Sequence, residues 1–373
     1  YCVQGLVVAD RESLEHVESI VDELAKSEGF DRPQIFIAED ISCFDQVAGA
    51  DSNCKISESA GDVVTDSEND TDGGVVAGCA GKKDDSSLEK LATVRRQMSM
   101  TDPLYIIYTS GSTGNPKGVM TSHPSLMTYI NAYCDVMHIE CDDVLGNQSP
   151  LDYIAAIRDI YLPLKTGCST AIIPKEYFME PNALFDYMND KKVSSVGWSV
   201  SAFTILTSLG AFEEVGLKSL RKICFSGSVM PCRVLRKWQE NLPEAHFVNQ
   251  YGPTEATASC TYYSVDHTVE EDEVLPIGKA YDNYRVFLID EHGNEPAVGE
   301  QGEICVCGPI LALGYYNDPE RTAAAFTLNP LNKAYPERMY RTGDYGRLDE
   351  DGILHFCGRM DRQIKHDGTP CGA

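Results

Sequence analysis

The first 48 residues alternate short apolar runs with a stretch of helical periodicity. Residues 5–9 and 34–37 are continuous apolar runs of the kind found in buried parallel strands. Between them, apolar side chains recur at helical spacing from Leu14 to Leu24. The pattern predicts a β-α-β unit, as part of a layered α/β domain.

The alternation of strand and helix resumes after Leu104 and continues to residue 276. Residues 171–174, 222–226 and 247–249 are predicted strands, and residues 231–239 form a predicted helix between two of them. A further helix is predicted from apolar residues on one helical face, namely Leu126, Tyr129, Ile130, Tyr133 and Met137. We therefore expect an α/β core over residues 88–276.

Beyond residue 277, helical periodicity gives way to short strand-like runs separated by turns. These runs cover residues 285–289, 303–306 and 353–356. They predict a smaller β-rich subdomain over residues 277–360. The predicted fold class is therefore α/β, with layered parallel-sheet subdomains and a smaller antiparallel β subdomain.

Residues 49–87 interrupt the pattern. They are rich in Asp, Glu, Ser and Gly and contain almost no large apolar residue. Such a segment cannot bury enough apolar surface to offset its conformational entropy, so we expect a disordered acidic insertion. A solvated insertion is the simpler interpretation, and a regulatory or partner-binding role is the alternative.

Composition and charge narrow the range of partners. Of the 373 residues, 43% are hydrophobic, which is enough for a buried core, and the formal net charge is -26. A strongly negative chain argues against binding to nucleic acid or to an anionic membrane, because both need a basic surface. No apolar run reaches the ~18 residues that a membrane-spanning helix requires.

The 14 cysteines contain no Cys-x-x-Cys spacing. Cys305 and Cys307 lie two residues apart in a strand-like run and would share a face, but no second pair is evident to complete a structural zinc site. Reduced cysteines that pack as small apolar residues are the simpler interpretation, which indicates a cytoplasmic protein.

Residues 105–118 carry the most distinctive chemistry, with the sequence YIIYTSGSTGNPKG. An apolar strand leads into a loop of small residues, and a lysine follows the loop. These residues are Thr109, Ser110, Gly111, Ser112, Thr113, Gly114 and Lys117. Glycine lets the backbone approach a ligand closely, and hydroxyls, backbone N–H groups and a lysine can enclose a phosphate. The spacing does not fit a Walker A loop, and a plain Gly/Ser connector is the alternative.

Further blocks join a strand to polar turn residues, in fixed order along the chain. They read FVNQYGPTE at 247–255, YRTGD at 340–344 and FCGRMDRQIK at 356–365, with EICVCG at 303–308 and GYYNDPE at 314–320. Together the blocks resemble the adenylate-forming (AMP-binding) superfamily of acyl-CoA synthetases, luciferases and nonribosomal peptide synthetase adenylation domains. Over about residues 102–368, the chain is most similar to the amino-acid-activating branch, including D-alanine–carrier protein ligases.

The resemblance implies an enzyme, an ATP-dependent carboxylate-adenylating ligase. Family members join a carboxylic acid to AMP with release of pyrophosphate, using ATP and Mg²⁺, and then pass the acyl group to a thiol. The expected substrate is an amino acid and the expected acceptor is the phosphopantetheine of a carrier protein. A CoA ligase for a small organic acid is one alternative, and a non-catalytic nucleotide-binding remnant is another.

The resemblance also assigns nucleotide contacts. The loop from Thr109 to Gly114 and Lys117 would hold the β- and γ-phosphates. Thr254 and Glu255 match the Mg²⁺ ligands, since a hard cation prefers oxygen, and with Lys117 they form the expected catalytic set. The expected contacts to adenine, ribose or phosphate are Asn249, Gln250, Tyr251, Gly252, Asp344, Phe356, Arg359 and Lys365.

The expected acyl pocket departs from the family pattern. In amino-acid-activating relatives, an Asp after an aromatic residue pairs with the substrate α-amino group. That position falls on Ile154, and the nearest carboxylate is Asp152. Arg158 would either face a second carboxylate on the substrate or pair with Asp159 or Asp152 outside the pocket. Further expected lining residues are Ala155, Ser199, Cys224, Ser226, Gln250, Ala258 and Ser259.

The last residues depart from the pattern as well. Residues 361–373 match a hinge at Asp361 and the start of a C-terminal lid, whose catalytic lysine the family carries further on. We therefore expect this chain by itself to bind ATP weakly and to adenylate poorly.

Overall fold

The structure is a computed structural model of the chain. It describes residues 93–109, 116–150 and 153–359, together with the backbone of four short strands outside those ranges. The chain divides into two compact units, residues 1–82 and 83–373. This division falls within the predicted acidic insertion, which itself lies outside the described residues.

The strands, in chain order, are β1 (Gly5–Val8), β2 (Gln34–Ile37), β3 (Pro103–Thr109), β4 (Lys117–Ser122), β5 (Val144–Asn147), β6 (Ser169–Ile172), β7 (Ser195–Ser199), β8 (Lys222–Ser226), β9 (His246–Tyr251), β10 (Thr261–Val265), β11 (Lys279–Ala280), β12 (Arg285–Ile289), β13 (Gln301–Cys307), β14 (Gly314–Tyr315), β15 (Phe326–Leu328), β16 (Arg338–Leu348), β17 (Leu354–Arg359), β18 (Ile364–His366) and β19 (Thr369–Cys371). The helices with complete bounds are α1 (His123–Met137), α2 (Ile154–Thr166), α3 (Pro181–Asp190), α4 (Val200–Ser208), α5 (Cys232–Asn241) and α6 (Pro319–Ala325), with short 3₁₀ turns at Lys175–Met179 and Thr254–Ala256.

In the first unit, β1 and β2 pair in parallel, with Gly5 opposite Gln34. Parallel pairing of these two strands agrees with the predicted β-α-β unit. The helix expected between them lies outside the described residues.

The second unit contains a mixed sheet in the order β11-β10-β9-β8-β7-β5-β6. Strands β6, β5, β7, β8 and β9 run parallel, whereas β10 and β11 are antiparallel at one edge. Ser199, Ser226 and Gln250 lie in register near the carboxyl ends of three neighbouring strands. The segments that follow these strands therefore leave the sheet at one edge, where α/β folds bind ligands.

The hydrophobic pattern of α1 matches its packing. All five residues on the predicted apolar face are at most 4% exposed. Helices α4 and α5 pack through rings, with Phe203 and Trp238 centred 4.8 Å apart in an edge-on arrangement. Burial of such faces is the main stabilising contribution to a layered fold.

Antiparallel sheets accompany the parallel region. One has the order β12-β13-β16-β15, and β17 adds to β16. A second has the order β14-β4-β3, so residues 314 and 315 pair with the strand that follows the predicted phosphate loop. An antiparallel sheet of the kind predicted beyond residue 277 is therefore present.

Within the described part of the chain, no helix is long and apolar enough to cross a bilayer. The described cysteines are free thiols, and Cys305 and Cys307 are buried in β13. Nor do the described residues bring three or more His, Cys, Asp or Glu side chains together as metal ligands.

A buried carboxylate ties the start of β5 to β8. The side chain of Asp143 is fully buried and accepts hydrogen bonds from Lys222 (2.6 Å), Arg221 (2.8 Å), Ser194 (2.7 Å) and the backbone amide of Glu140 (2.9 Å). Burial alone would raise the pKa of Asp143, but the hydrogen bonds from Lys222, the Glu140 amide and Ser194 outweigh it and lower the pKa below its ordinary value.

We expect Asp143→Asn to lower the free energy of unfolding at pH 7 by ~3 kcal/mol, because Lys222 loses its buried partner. A carboxylate with a lowered folded pKa stabilises the protein above its unfolded pKa of 3.8, and the contribution is lost as pH falls through the folded value. Urea unfolding should therefore give a constant difference between wild type and variant above ~pH 5 and a shrinking one below it.

Asp142→Asn is the matched control. Asp142 is the neighbouring carboxylate, its side chain is 70% exposed, and it lies 3.6 Å from Arg221. Its replacement should change the free energy of unfolding by less than ~1 kcal/mol. If the difference in free energy of unfolding between Asp143→Asn and wild type is the same at pH 3 as at pH 7, the stability does not depend on the ionisation of Asp143.

Candidate active site

Two distant parts of the chain meet at a single ion pair. Lys117 is the first residue of β4, and Glu255 lies in the 3₁₀ turn that follows β9. The Nζ atom of Lys117 lies 2.5 Å from Oε1 of Glu255, although 138 residues separate them in sequence. The strand that follows the phosphate-type loop is thus joined to the turn predicted to bind Mg²⁺.

The turn that carries Glu255 depends on close backbone contact. A Cβ atom on Gly252 would lie 2.3 Å from Cα of Ser259, so only glycine fits there. Thr257 and Ala258 both have positive φ angles, 46° and 75°, which residues with a side chain rarely adopt. These features fold the chain back tightly after Tyr251 and fix the position of Glu255.

Glu255 is held as a buried anion. Its side chain is 5% exposed, and Oε1 accepts hydrogen bonds from Lys117 and from the hydroxyl of Tyr315 at 2.7 Å. Burial alone would raise the pKa of Glu255, but the ammonium of Lys117 and the two hydrogen bonds lower it below its ordinary value. The site therefore presents an ionised carboxylate beside a lysine.

A second cluster lies at the end of β9. The hydroxyl of Tyr251 donates to Oδ2 of Asp344 at 2.6 Å, and Arg359 lies 3.2 Å from Oδ1 of the same carboxylate. Asp344 in β16 pairs in register with Arg359 in β17, and Gly343 has a φ of 72° that suits glycine. Burial and the charge of Asp344 raise the pKa of Tyr251, so the phenol remains a donor.

Among the other predicted nucleotide residues, Phe356 packs beside this cluster, whereas Asn249 and Gln250 bond to other groups. The rings of Tyr251 and Phe356 are 6.1 Å apart. Asn249 donates to the carbonyl of Pro276 at 2.8 Å, and Gln250 donates to the hydroxyl of Tyr281 at 2.5 Å. Lys365 lies in β18, and its side chain is outside the described residues.

The phosphate-type loop joins the two strands of a hairpin. Thr109 ends β3, Lys117 begins β4, and the two residues lie opposite each other in register. Residues 110–115, which include Ser110, Gly111, Ser112, Thr113 and Gly114, lie outside the described residues. The buried hydroxyl of Thr109 has no hydrogen-bond partner in the described part of the chain. Such a hydroxyl fits a site where a ligand oxygen supplies the partner.

The residues predicted for the acyl pocket come from four elements. Ile154 and Ala155 begin α2, and Ile154 is buried. Ser226 and Gln250 lie in register in β8 and β9, Ala258 follows the 3₁₀ turn, and Asp152 lies outside the described residues.

Arg158 is engaged with protein groups. Its Nε donates to Oδ1 of Asp159 at 2.7 Å, and one terminal nitrogen donates to Oδ2 of Asp159 and to the carbonyl of Gly197. Its side chain is 5% exposed, and the guanidinium lies 5.1 Å from the ring centre of Tyr133. Burial alone would lower the pKa of Arg158, but Asp159 outweighs it and keeps the charge. Of the two alternatives for Arg158, the structure therefore matches pairing with Asp159. Because Asp159 balances the charge of Arg158, the substrate does not need a second carboxylate.

The sequence of this chain matches a known protein family. Residues 31–316, more than half of the chain, match the model of the AMP-binding enzyme family. The chain belongs to the AMP-binding enzyme family. The match confirms the resemblance that the sequence blocks predicted, and it includes Lys117, Tyr251 and Glu255.

Curated relatives in this family include D-alanine–D-alanyl carrier protein ligases. The ligase of Bacillus cytotoxicus is 35% identical over 266 residues, which cover 71% of this chain and 51% of the relative. The chain therefore spans about half the length of the curated relatives it matches.

Solved AMP-binding structures share the fold. Holo-PA1221, a nonribosomal peptide synthetase protein with adenylation and PCP domains, is 32% identical with a TM-score of 0.64, covering 73% of this chain and 47% of that one. FmoA3, a nonribosomal peptide synthetase in an AMPPNP-bound form, is 30% identical with a TM-score of 0.64, covering 70% and 28%. These neighbours confirm the mixed α/β fold class.

Sequence reasoning missed two tyrosines beside Glu255. The GYYNDPE block matches the family pattern, but the pattern gives no role to Tyr315. The YRTGD block drew attention to Asp344, whereas its first residue, Tyr340, is buried and raised in pKa by burial and by Glu255. A buried tyrosine in a motif otherwise made of turn residues was the available signal.

Proposed function

We propose that this chain forms the nucleotide- and acyl-binding part of an ATP-dependent ligase. The proposed reaction joins the carboxylate of an amino acid to the α-phosphorus of ATP. The bond between that phosphorus and pyrophosphate breaks, which gives an acyl-adenylate. The acyl group then passes to the phosphopantetheine thiol of a carrier protein, with release of AMP.

The observation that carries the proposal is the convergence of four sequence blocks. Lys117, Glu255 and Tyr315 meet at one carboxylate oxygen, and Tyr251 links the strand before that turn to Asp344. Phosphates require a cation, and Mg²⁺ requires an ionised oxygen ligand. Ribose hydroxyls require a carboxylate, and adenine requires an aromatic ring to pack against.

The donor set fits Mg²⁺ with ATP. Mg²⁺ is usually bound by one or two carboxylates together with substrate phosphates, and Glu255 with the neighbouring Thr254 hydroxyl supplies oxygen ligands of this kind. When bound, Mg²⁺ neutralises phosphate charge. In this proposal Lys117 binds the outer phosphates, Tyr251 packs against adenine, and Asp344 accepts hydrogen bonds from ribose.

The relatives support the substrate class and the acceptor. Those that match at 35–36% identity are named as D-alanine–D-alanyl carrier protein ligases, and PA1221 combines adenylation and PCP domains. A carrier protein is therefore a better supported acceptor than CoA. The free thiols of the described cysteines support a cytoplasmic location.

An ATP–pyrophosphate exchange screen across amino acids and dicarboxylic acids, run on the full-length protein, tests the proposal. We expect exchange that depends on Mg²⁺ and on one or a few amino acids. A second arm offers the activated acid to a phosphopantetheinylated carrier protein and to free CoA, and we expect loading of the carrier. Protein that binds ATP but exchanges with none of the acids would contradict ligase activity.

A further inference from the structure

Tyr315 occupies a position between the two charged groups of the proposed nucleotide site. Its hydroxyl donates to Oε1 of Glu255 at 2.7 Å and accepts from Nζ of Lys117 at 3.1 Å. The ammonium of Lys117 also lies 4.8 Å from the centre of the Tyr315 ring. One side chain therefore contacts both the anion and the cation.

The backbone around Tyr315 joins the two predicted site segments. We call residues 312–316 the strap. The strap donates from Ala312 to the carbonyl of Glu255 and from Tyr316 to the carbonyl of Gly118, each at 2.8 Å. Arg338 binds the strap from outside, donating to the carbonyls of Ala312 and Leu313. The strap thus fixes Tyr315 relative to both β4 and the 3₁₀ turn.

The ring of Tyr315 is also fixed by packing. It is 5% exposed, and its centre lies 5.7 Å from that of Phe326 in an edge-on arrangement. A phenylalanine at this position would keep the ring contacts and lose only the hydroxyl. The hydroxyl can therefore be tested separately from the fold.

Lys117 and a divalent cation cannot share the same oxygen of Glu255. Lys117 lies 2.5 Å from Oε1, and two positive charges at such distances repel strongly in a buried site. Use of Oε1 of Glu255 as a metal ligand therefore requires Lys117 to leave that oxygen. A lysine that leaves a buried carboxylate needs another acceptor, and the Tyr315 hydroxyl is already within 3.1 Å.

We propose that Tyr315 is a positioning residue of the Mg·ATP site: its hydroxyl orients the Glu255 carboxylate for Mg²⁺ and, when Mg²⁺ replaces Lys117 on that carboxylate, provides the lysine with a second acceptor. The inference rests on the proposed function. It assigns a role to a residue that contacts neither substrate nor metal directly and acts through Glu255 and Lys117.

Calorimetric titration of ATP, once with Mg²⁺ and once with EDTA, tests the role of Tyr315. With Tyr315→Phe, we expect the Kd for ATP in Mg²⁺ to rise ~10-fold, as for loss of one hydrogen bond to a charged group, and the Kd in EDTA to change by less than about twofold. The ratio of the two Kd values is the decisive readout, because a general loss of structure would raise both. Circular dichroism and thermal unfolding check that the variant is folded.

Tyr316→Phe is the matched control. It makes the same chemical change in the next residue, and no hydrogen bond of the Tyr316 side chain to Glu255 or Lys117 is found among the described residues. Both of its Kd values should stay within about twofold of wild type. If wild type binds ATP more tightly with Mg²⁺ and Tyr315→Phe keeps the same ratio, the role of Tyr315 is refuted. If wild type binds no ATP under either condition, the proposed function fails, and this inference fails with it.

Discussion

Glu255→Gln is expected to weaken ATP binding in the presence of Mg²⁺ by ~100-fold, because the metal loses an ionised ligand that contributes several kcal/mol of charge stabilisation. Glutamine keeps the shape of the side chain and replaces the carboxylate with a neutral amide. ATP binding in EDTA should change by less than ~3-fold, since Lys117 is then free to contact the phosphates. The measurement is calorimetric titration of ATP with and without Mg²⁺.

Glu320→Gln makes the same change at an exposed carboxylate in the first turn of α6. It should leave both affinities within about twofold of wild type. Retention of Mg²⁺-dependent ATP binding by Glu255→Gln would show that the metal is held elsewhere. The assignment of the 3₁₀ turn as the metal-binding segment would then be wrong.

Asp159→Asn should lower the free energy of unfolding by ~3–5 kcal/mol, because it leaves the Arg158 guanidinium buried without a counter-charge. Both side chains are at most 5% exposed, so water cannot compensate for the lost carboxylate. The space around the guanidinium is also closed, since a Cβ on Gly197 would lie 2.4 Å from Cζ of Arg158. Urea unfolding with an unchanged slope would measure the loss.

The double variant Arg158→Met/Asp159→Asn separates charge from packing. It removes the unpaired cation, so it should be less destabilised than Asp159→Asn alone by ~1 kcal/mol or more. Asp186→Asn, at an exposed position of α3, should change the free energy of unfolding by less than ~0.5 kcal/mol. Equal losses in the single and double variants would mean that the ion pair is not the source of the effect.

The sequence predicted much of the fold because the relevant signals are local. Periodicity identified the buried face of α1, and residues 222–226 and 285–289 were predicted with the same bounds as β8 and β12. Apolar runs and helical faces reflect burial directly. The order of strands in the sheet and the partner of each strand required the structure, because pairing joins residues far apart in the chain.

In the candidate site too, local motifs predict which residues matter, whereas contacts between distant residues require the structure. The motifs single out Lys117, Glu255, Tyr251 and Asp344, and the structure pairs Lys117 with Glu255 and Tyr251 with Asp344. The partner of Arg158 could not be chosen from the sequence, because Asp152 and Asp159 were both near in the chain. The contact between Tyr315 and Glu255 spans 60 residues, and no local pattern indicates it.

The central claim is that one Mg·ATP lies against Tyr251, Asp344, Lys117 and Glu255. A crystal structure of the protein with AMPPNP and Mg²⁺ tests it most directly. We predict a single nucleotide with adenine against the Tyr251 ring, ribose beside Asp344, and the metal bound to Glu255 with Lys117 moved towards the phosphates. A nucleotide bound elsewhere, or Lys117 still paired with Glu255 while the metal lies at other residues, would contradict the claim.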